Sequence, residues 1–165
     1  MNLVIGAFPY FVLPFVSSLC LVPVCKKIGF ALGIYALENA RTVHHGKIVR
    51  TGGVAIYIAF LVSLALLWKA DDSLNGILIG SSVVFIGALL DDIYDLPPKV
   101  KLLFQVSGTI IAMAVGNIYL TDFHILSFDI SNSIITKIIS FFWIVGITNA
   151  INLIDGLDGL SSGIT

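Results

Sequence analysis

The chain has 165 residues, of which 58% are hydrophobic and only 12% are charged, and its mean hydropathy is +1.03. Soluble domains carry about 25% charged residues, so this composition excludes an ordinary soluble domain and indicates an integral membrane protein. The formal net charge of −1 shows no basic excess, and we expect no nucleic-acid partner.

Five apolar runs reach or approach the roughly 20 residues that a membrane-spanning helix needs. We predict spans over about residues 3–24, 53–68, 76–90, 102–120 and 134–150, with only the third short enough to be in question. Pro9, Pro14 and Pro23 are expected to kink the first span. Its basic residues follow the apolar run, so we interpret it as a retained helix and not a signal peptide. The predicted fold is an all-α, polytopic transmembrane bundle, a single integral membrane domain over residues 1–165.

The basic residues predict the orientation of these spans. Seven of the nine lysines and arginines fall in two of the loops, and they are Lys26, Lys27, Arg41, Lys47, Arg50, Lys99 and Lys101. By the positive-inside rule both loops are cytoplasmic. This places the N-terminus outside and the end of the fifth span inside.

The same orientation gathers acidic residues and two histidines at the cytoplasmic end of the bundle: Asp91, Asp92, Asp95, Asp155, Asp158, His44 and His45. The other aspartates and His124 fall in external loops, where we interpret them as solvated charges. Cys20 and Cys25 form no ligand pattern, and we expect free thiols.

Residues 91–95, with the sequence DDIYD, lie where the third span emerges. If the helix continues through them, Asp91 and Asp95 share a face at i, i+4 spacing, and Pro97 and Pro98 then end the helix. Like charges this close repel, so the cluster needs protons, basic partners or a cation. Proteins hold Mg²⁺ with one or two carboxylates together with substrate phosphates. The cluster therefore suggests magnesium-dependent phosphate chemistry.

Residues 149–160, with the sequence NAINLIDGLDGL, end the fifth span with polar side chains at every third position, namely Asn149, Asn152, Asp155 and Asp158. Acids in or beside membrane segments are costly to insert and are candidates for function.

A basic segment over residues 41–53, RTVHHGKIVRTGG, leads into the second span. It suits anionic ligands, or it acts only as a topology determinant at the lipid head groups.

These segments resemble the polyprenyl-phosphate N-acetylhexosamine-1-phosphate transferases, which include the undecaprenyl-phosphate GlcNAc-1-phosphate transferases and the muramoyl-pentapeptide phosphotransferases. Three family motifs have similar stretches here: R-K-x-H…P-R-x-G-G at Arg41, His44, Arg50, Gly52 and Gly53; D-D-x-x-D at Asp91, Asp92 and Asp95; and N-A-x-N-x-x-D-G-x-D-G-L at residues 149–160. Asp95 resembles the GlcNAc branch, because the muramoyl-pentapeptide branch usually has a lysine there.

The resemblance implies that a polyprenyl phosphate attacks the β-phosphorus of a UDP-N-acetylhexosamine, with GlcNAc as the sugar, and releases UMP. The reaction would start cell-envelope glycan synthesis at the cytoplasmic face of the plasma membrane. It implies Mg²⁺, with Mn²⁺ as an alternative. Carried over by motif, Asp91 and Asp92 would be catalytic, and Asn152 and Asp155 would face the metal. The substrate-binding positions would be Asp95, Asn149, Asp158, His44, Lys47 and Arg50.

The sequence departs from the family pattern in two places. Prolines usually stand where Lys47 and Val49 stand here. Family members are also longer, with a later G-D-x-G-S aspartate that ligates Mg²⁺, so we interpret the chain as an N-terminal half.

One alternative to an active transferase is a catalytically incomplete half-domain that binds polyprenyl phosphate or a partner. Another is an intramembrane prenyltransferase, whose N-D-x-x-D and D-x-x-x-D motifs do not fit residues 149–160. A homodimer is left open.

Overall fold

A computed structural model describes residues 2–36, 48–49, 51–67, 71–121, 123–125, 128–130 and 132–154. Their elements are, in order, α1 (Asn2–Leu32), β1 (Tyr35–Ala36), β2 (Ile48–Val49), α2 (Gly52–Leu67), α3 (Asp72–Tyr94), α4 (Pro98–Gly116), β3 (Phe123–Ile125), β4 (Phe128–Ile130) and α5 (Ser133–Ile154). Four of the described helices, α1, α3, α4 and α5, are long and apolar enough to cross a membrane. The polytopic helical class is confirmed, and the two small antiparallel strand pairs were not predicted.

The short helix is the second and not the third. Helix α3 has 23 residues, whereas α2 has 16 and would extend about 24 Å at 1.5 Å per residue. The polar residues at both ends of α3 lower its hydropathy without breaking its backbone hydrogen bonding. Asp72 in its first turn is favourable there, because a carboxylate interacts well with the positive end of the helix dipole.

The described chain forms two compact units. The first contains Met1–Lys69 and Leu89–Asp95, and in it α1 packs against α2. The buried Thr51 hydroxyl donates a hydrogen bond to the Cys25 carbonyl oxygen at 2.8 Å, which fixes the start of α2 against α1. Strands β1 and β2 pair Tyr35 with Val49, so backbone hydrogen bonds join part of the basic segment to the chain that follows α1.

The second unit contains Ala70–Ala88 and Leu96–Thr165. Within it α3 and α4 approach so closely that a Cβ atom on Gly80 would lie 2.6 Å from the Gly108 carbonyl oxygen. Such small-residue contacts are how membrane helices bring their backbones together. Gly87 lies against the Phe104 ring, and α5 packs on α4. This packing places the C-terminal half of α3, the N-terminal part of α4 and the C-terminal part of α5 around one cavity.

Candidate functional site

The aspartate cluster sits at the end of α3, in the first unit. Asp91 and Asp92 lie in the last turn and are half-buried. The helix ends at Tyr94, and Asp95 follows in a left-handed conformation with φ 48° while its N–H donates to the Asp91 carbonyl oxygen at 2.8 Å. The helix therefore stops one residue short of the continuation that would place Asp91 and Asp95 on one helical face.

The prolines after the cluster begin the next helix, since α3 has already ended at Tyr94 before it reaches them. Pro97 is extended, with φ −64° and ψ 148°, and Pro98 is the first residue of α4. Proline suits this position because its fixed φ matches the helix and its missing N–H would have had no helical partner. Asp95 therefore lies in the short turn between the end of α3 at Tyr94 and the start of α4 at Pro98.

Two members of the second motif lie in the last two turns of α5, in the second unit. Asn149 is half-buried and Asn152 is exposed, and their spacing of three residues places them on neighbouring positions of one helix face. Asp155 and Asp158 lie outside the described residues, as do His44, Lys47 and Arg50. The roles assigned to all ten positions stay predictions.

A cavity of about 270 Å³ lies inside the second unit. Among the described residues, its polar lining comes from α4 and α5 and consists of Lys101, Gln105, Thr148 and Asn152. Its apolar and glycine lining is Val84, Gly87, Ala88, Phe104 and Ile151. The cavity is therefore amphipathic: one cation, amides and a hydroxyl share a space with hydrocarbon walls.

Gln105 is the most unusual group in this cavity. The residue is 5% exposed, and its Oε1 atom has no hydrogen-bond partner in the described part of the chain. The buried hydroxyl next along the helix differs, since Thr109 donates to the Gln105 backbone carbonyl at 2.8 Å. Leaving a buried acceptor unpaired costs about 1–3 kcal/mol. A group kept at that cost needs an explanation.

The sequence interpretation missed Lys101 and Gln105 as site residues. In the sequence Lys101 contributes only to the predicted orientation of the spans, and Gln105 is a single amide in an apolar run. Their i, i+4 spacing in an otherwise apolar helix was the available signal, because polar groups at that spacing share a face. Only the packing of α4 against α5 shows that this face also meets Asn152.

The comparisons with known proteins define the class of this molecule. Residues 74–165 match the family described as glycosyl transferase family 4, and this match includes the DDIYD segment and the residues from Asn149 onward. The match covers more than half of the chain, which therefore belongs to this family. The resemblance found in the motifs is confirmed, and the family is one of transferases.

Named relatives share most of this chain. It is 33% identical over 94% of its length to a protein of Bacillus subtilis (strain 168) named probable undecaprenyl-phosphate N-acetylglucosaminyl 1-phosphate transferase. It is 29% identical over 85% of its length to undecaprenyl-phosphate alpha-N-acetylglucosaminyl 1-phosphate transferase of Escherichia coli O157:H7. It is 31% identical over 88% of its length to phospho-N-acetylmuramoyl-pentapeptide-transferase of Staphylococcus saprophyticus. The chain spans 44%, 39% and 51% of these proteins, respectively. No solved structure matches it.

Proposed function

We propose that the chain is part of an enzyme that transfers N-acetylhexosamine 1-phosphate, with GlcNAc as the sugar, from a UDP-sugar to a polyprenyl phosphate at the cytoplasmic membrane face, releasing UMP. The observation that carries this proposal is the amphipathic cavity, which combines Lys101 and Asn152 with apolar walls among apolar helices. A phosphorylated isoprenoid has both the anionic and the hydrocarbon part that such a cavity suits. The names of the relatives, which include undecaprenyl phosphate, support the same acceptor.

The proposed step is an in-line displacement at the β-phosphorus of the sugar nucleotide. An oxygen of the lipid phosphate forms the new P–O bond, and the bond from the β-phosphorus to the bridging oxygen breaks, so that UMP leaves with the electron pair. Catalysis of phosphoryl transfer consists mostly of positioning and charge stabilisation. Lys101 would neutralise phosphate charge, and Asp91 and Asp92 would orient the acceptor. A phosphate monoester has a second pKa near 6 and is largely ionised at neutral pH, so it needs little help from a base.

The donor set fits a magnesium ion that is shared with substrate. In the described part of the chain, no three His, Cys, Asp or Glu side chains lie where they could hold a metal together. Mg²⁺ does not need such a cage, since one or two carboxylates with substrate phosphates and waters suffice. Asn152 and Asp155 would hold it, with Mn²⁺ as the alternative ion, and when bound it would supply charge stabilisation at the diphosphate.

The remaining candidates are proposed to bind substrate or lipid. We propose that Asn149 and Asp158 contact the sugar nucleotide, and that Asp95 contributes to substrate binding at the end of α3. The basic group of His44, Lys47 and Arg50 would bind anionic lipid or phosphate. Arginine and lysine suit this role because hydrogen bonds from charged donors to phosphate are short and strong.

The proposal is tested by synthesis of lipid-linked sugar in membranes. Membranes containing this chain, alone and within the longest reading frame that contains it, are given undecaprenyl phosphate and radiolabelled UDP-GlcNAc or UDP-GalNAc, with Mg²⁺ or with EDTA. We expect Mg²⁺-dependent transfer of label to lipid, with UMP released in equal amount. Failure of the longest frame with both sugar nucleotides would contradict the proposal. Lipid binding without turnover by this chain alone would indicate the incomplete half-domain.

A further inference from the structure

Gln105 lines the cavity, and its side-chain oxygen has no hydrogen-bond partner among the described residues. It lies on α4 one helical turn beyond Lys101, and both residues line the same space. Its side chain is almost fully buried, yet Oε1 accepts no hydrogen bond from the described residues. A methionine or leucine would fill this position without an unpaired polar atom, so folding alone does not explain the glutamine.

The lining of the cavity indicates which chemistry would satisfy this group. No acidic side chain is among the described residues that line it, whereas Lys101 adds a positive charge and Thr148 and Asn152 add hydrogen-bonding groups. The space is large enough for water, and buried waters occupy polar cavities where two to four partners are available. The Lys101 ammonium has three N–H donors and can attract an anion, and the volume of the cavity leaves room for a water beside Gln105.

We propose that Gln105 is a positioning residue for the phosphate head group of the lipid acceptor. A water donates one hydrogen to Gln105 Oε1 and the other to a phosphate oxygen, which bridges two acceptors that could not bond each other directly. The torsion about the Gln105 Cγ–Cδ bond is broad, so the side-chain oxygen can turn toward a water in the cavity. The inference rests on the proposed lipid-phosphate acceptor and adds a residue to its binding site.

Affinity and stability separate this role from a structural one. The chain is purified in detergent as the native protein and as Gln105→Met, and the binding of farnesyl phosphate, with farnesol as the uncharged control, is measured beside thermal unfolding. We expect Gln105→Met to raise the Kd for farnesyl phosphate about tenfold, as loss of one hydrogen bond to a charged group would. We also expect its Tm not to fall, because methionine fills the position without leaving a polar atom unpaired.

Thr109→Val is the matched control, because Thr109 is buried on the same helix one turn further and its hydroxyl bonds within the helix. It should leave the Kd unchanged. Native affinity in Gln105→Met would overturn the inference, and so would a fall in both its Tm and its affinity. In either case, binding of farnesyl phosphate by the native chain would still support the proposed lipid-phosphate acceptor. If Gln105→Met and Gln105→Leu both fail to fold, Gln105 is structural and the inference is wrong. If the native chain binds farnesol and farnesyl phosphate equally, both proposals are wrong.

Discussion

Asp95 combines a backbone role and a charge, and the two can be separated. Its φ of 48° lies in the left-handed region, which glycine and asparagine adopt readily and β-branched residues do not. Its N–H closes the last turn of α3 on the Asp91 carbonyl oxygen. The family resemblance implies that its carboxylate binds substrate, so the residue would both end the helix and contribute charge beside it.

Replacing Asp95 with asparagine removes the charge and keeps the conformation. We expect Asp95→Asn in the longest reading frame to unfold within about 2–4 °C of the native protein and to lower transferase turnover at least tenfold. Asp95→Val should lower the free energy of unfolding by a further ~1–2 kcal/mol, because valine is strained at this φ. Radiolabel transfer and thermal unfolding measure the two effects. Native turnover in Asp95→Asn would leave Asp95 with the backbone role alone.

At the residue scale, the sequence identifies groups that carry their own signal. Asp91, Asp92 and Asn152 stand out because polar side chains are costly in an apolar chain. Gln105 carries no comparable signal: a single amide in an apolar helix is ordinary until its neighbours are known. Its unpaired oxygen depends on where α4 and α5 pack, which spacing along the chain does not determine.

At the scale of elements, helix ends are harder to predict than helix cores. Hydropathy ends the third span near Leu90, yet α3 continues to Tyr94 because backbone hydrogen bonds do not require apolar side chains. The pairs β1–β2 and β3–β4 contain two and three residues per strand, too few for alternation to show in the sequence. The tight contact of α3 with α4 was equally hidden, because the glycines of both helices first had to be aligned in space.

That contact predicts opposite effects for two glycine-to-alanine substitutions. At Gly80 an added Cβ would lie 2.6 Å from the Gly108 carbonyl oxygen, a backbone atom that cannot move alone, so Gly80→Ala should destabilise the protein by about 1–3 kcal/mol. At Gly146 in α5 nothing lies within 4 Å of an added Cβ. Gly146→Ala should be neutral or stabilise by up to ~1 kcal/mol, because alanine favours the helix. Equal unfolding midpoints for the two variants would contradict the close packing of α3 on α4.

At the scale of the whole molecule, the basic loops of the sequence predict the membrane orientation, and one contact lies near the predicted outer face. Lys137 Nζ lies 4.6 Å from the centre of the Tyr119 ring, after the end of α4 and near the start of α5. Tyrosine concentrates at membrane–water interfaces, and a lysine beside it extends its ammonium toward water. Such a pair suits either membrane interface, so the direction of these helices depends on the basic loops alone.

The direction is tested by single cysteines at the two ends of α4. Tyr94, 70% exposed just before α4, should be cytoplasmic, and the exposed Thr121 after it should be external. In a background with Cys20→Ala and Cys25→Ala, a membrane-impermeant maleimide should label Thr121→Cys in intact cells and Tyr94→Cys only after permeabilisation. Helix α4, with 19 residues, extends about 28 Å and can separate the two positions. The reversed pattern would place Asp91 and Asp92 on the external face, away from cytoplasmic sugar nucleotides, and would contradict both the orientation and the proposed donor.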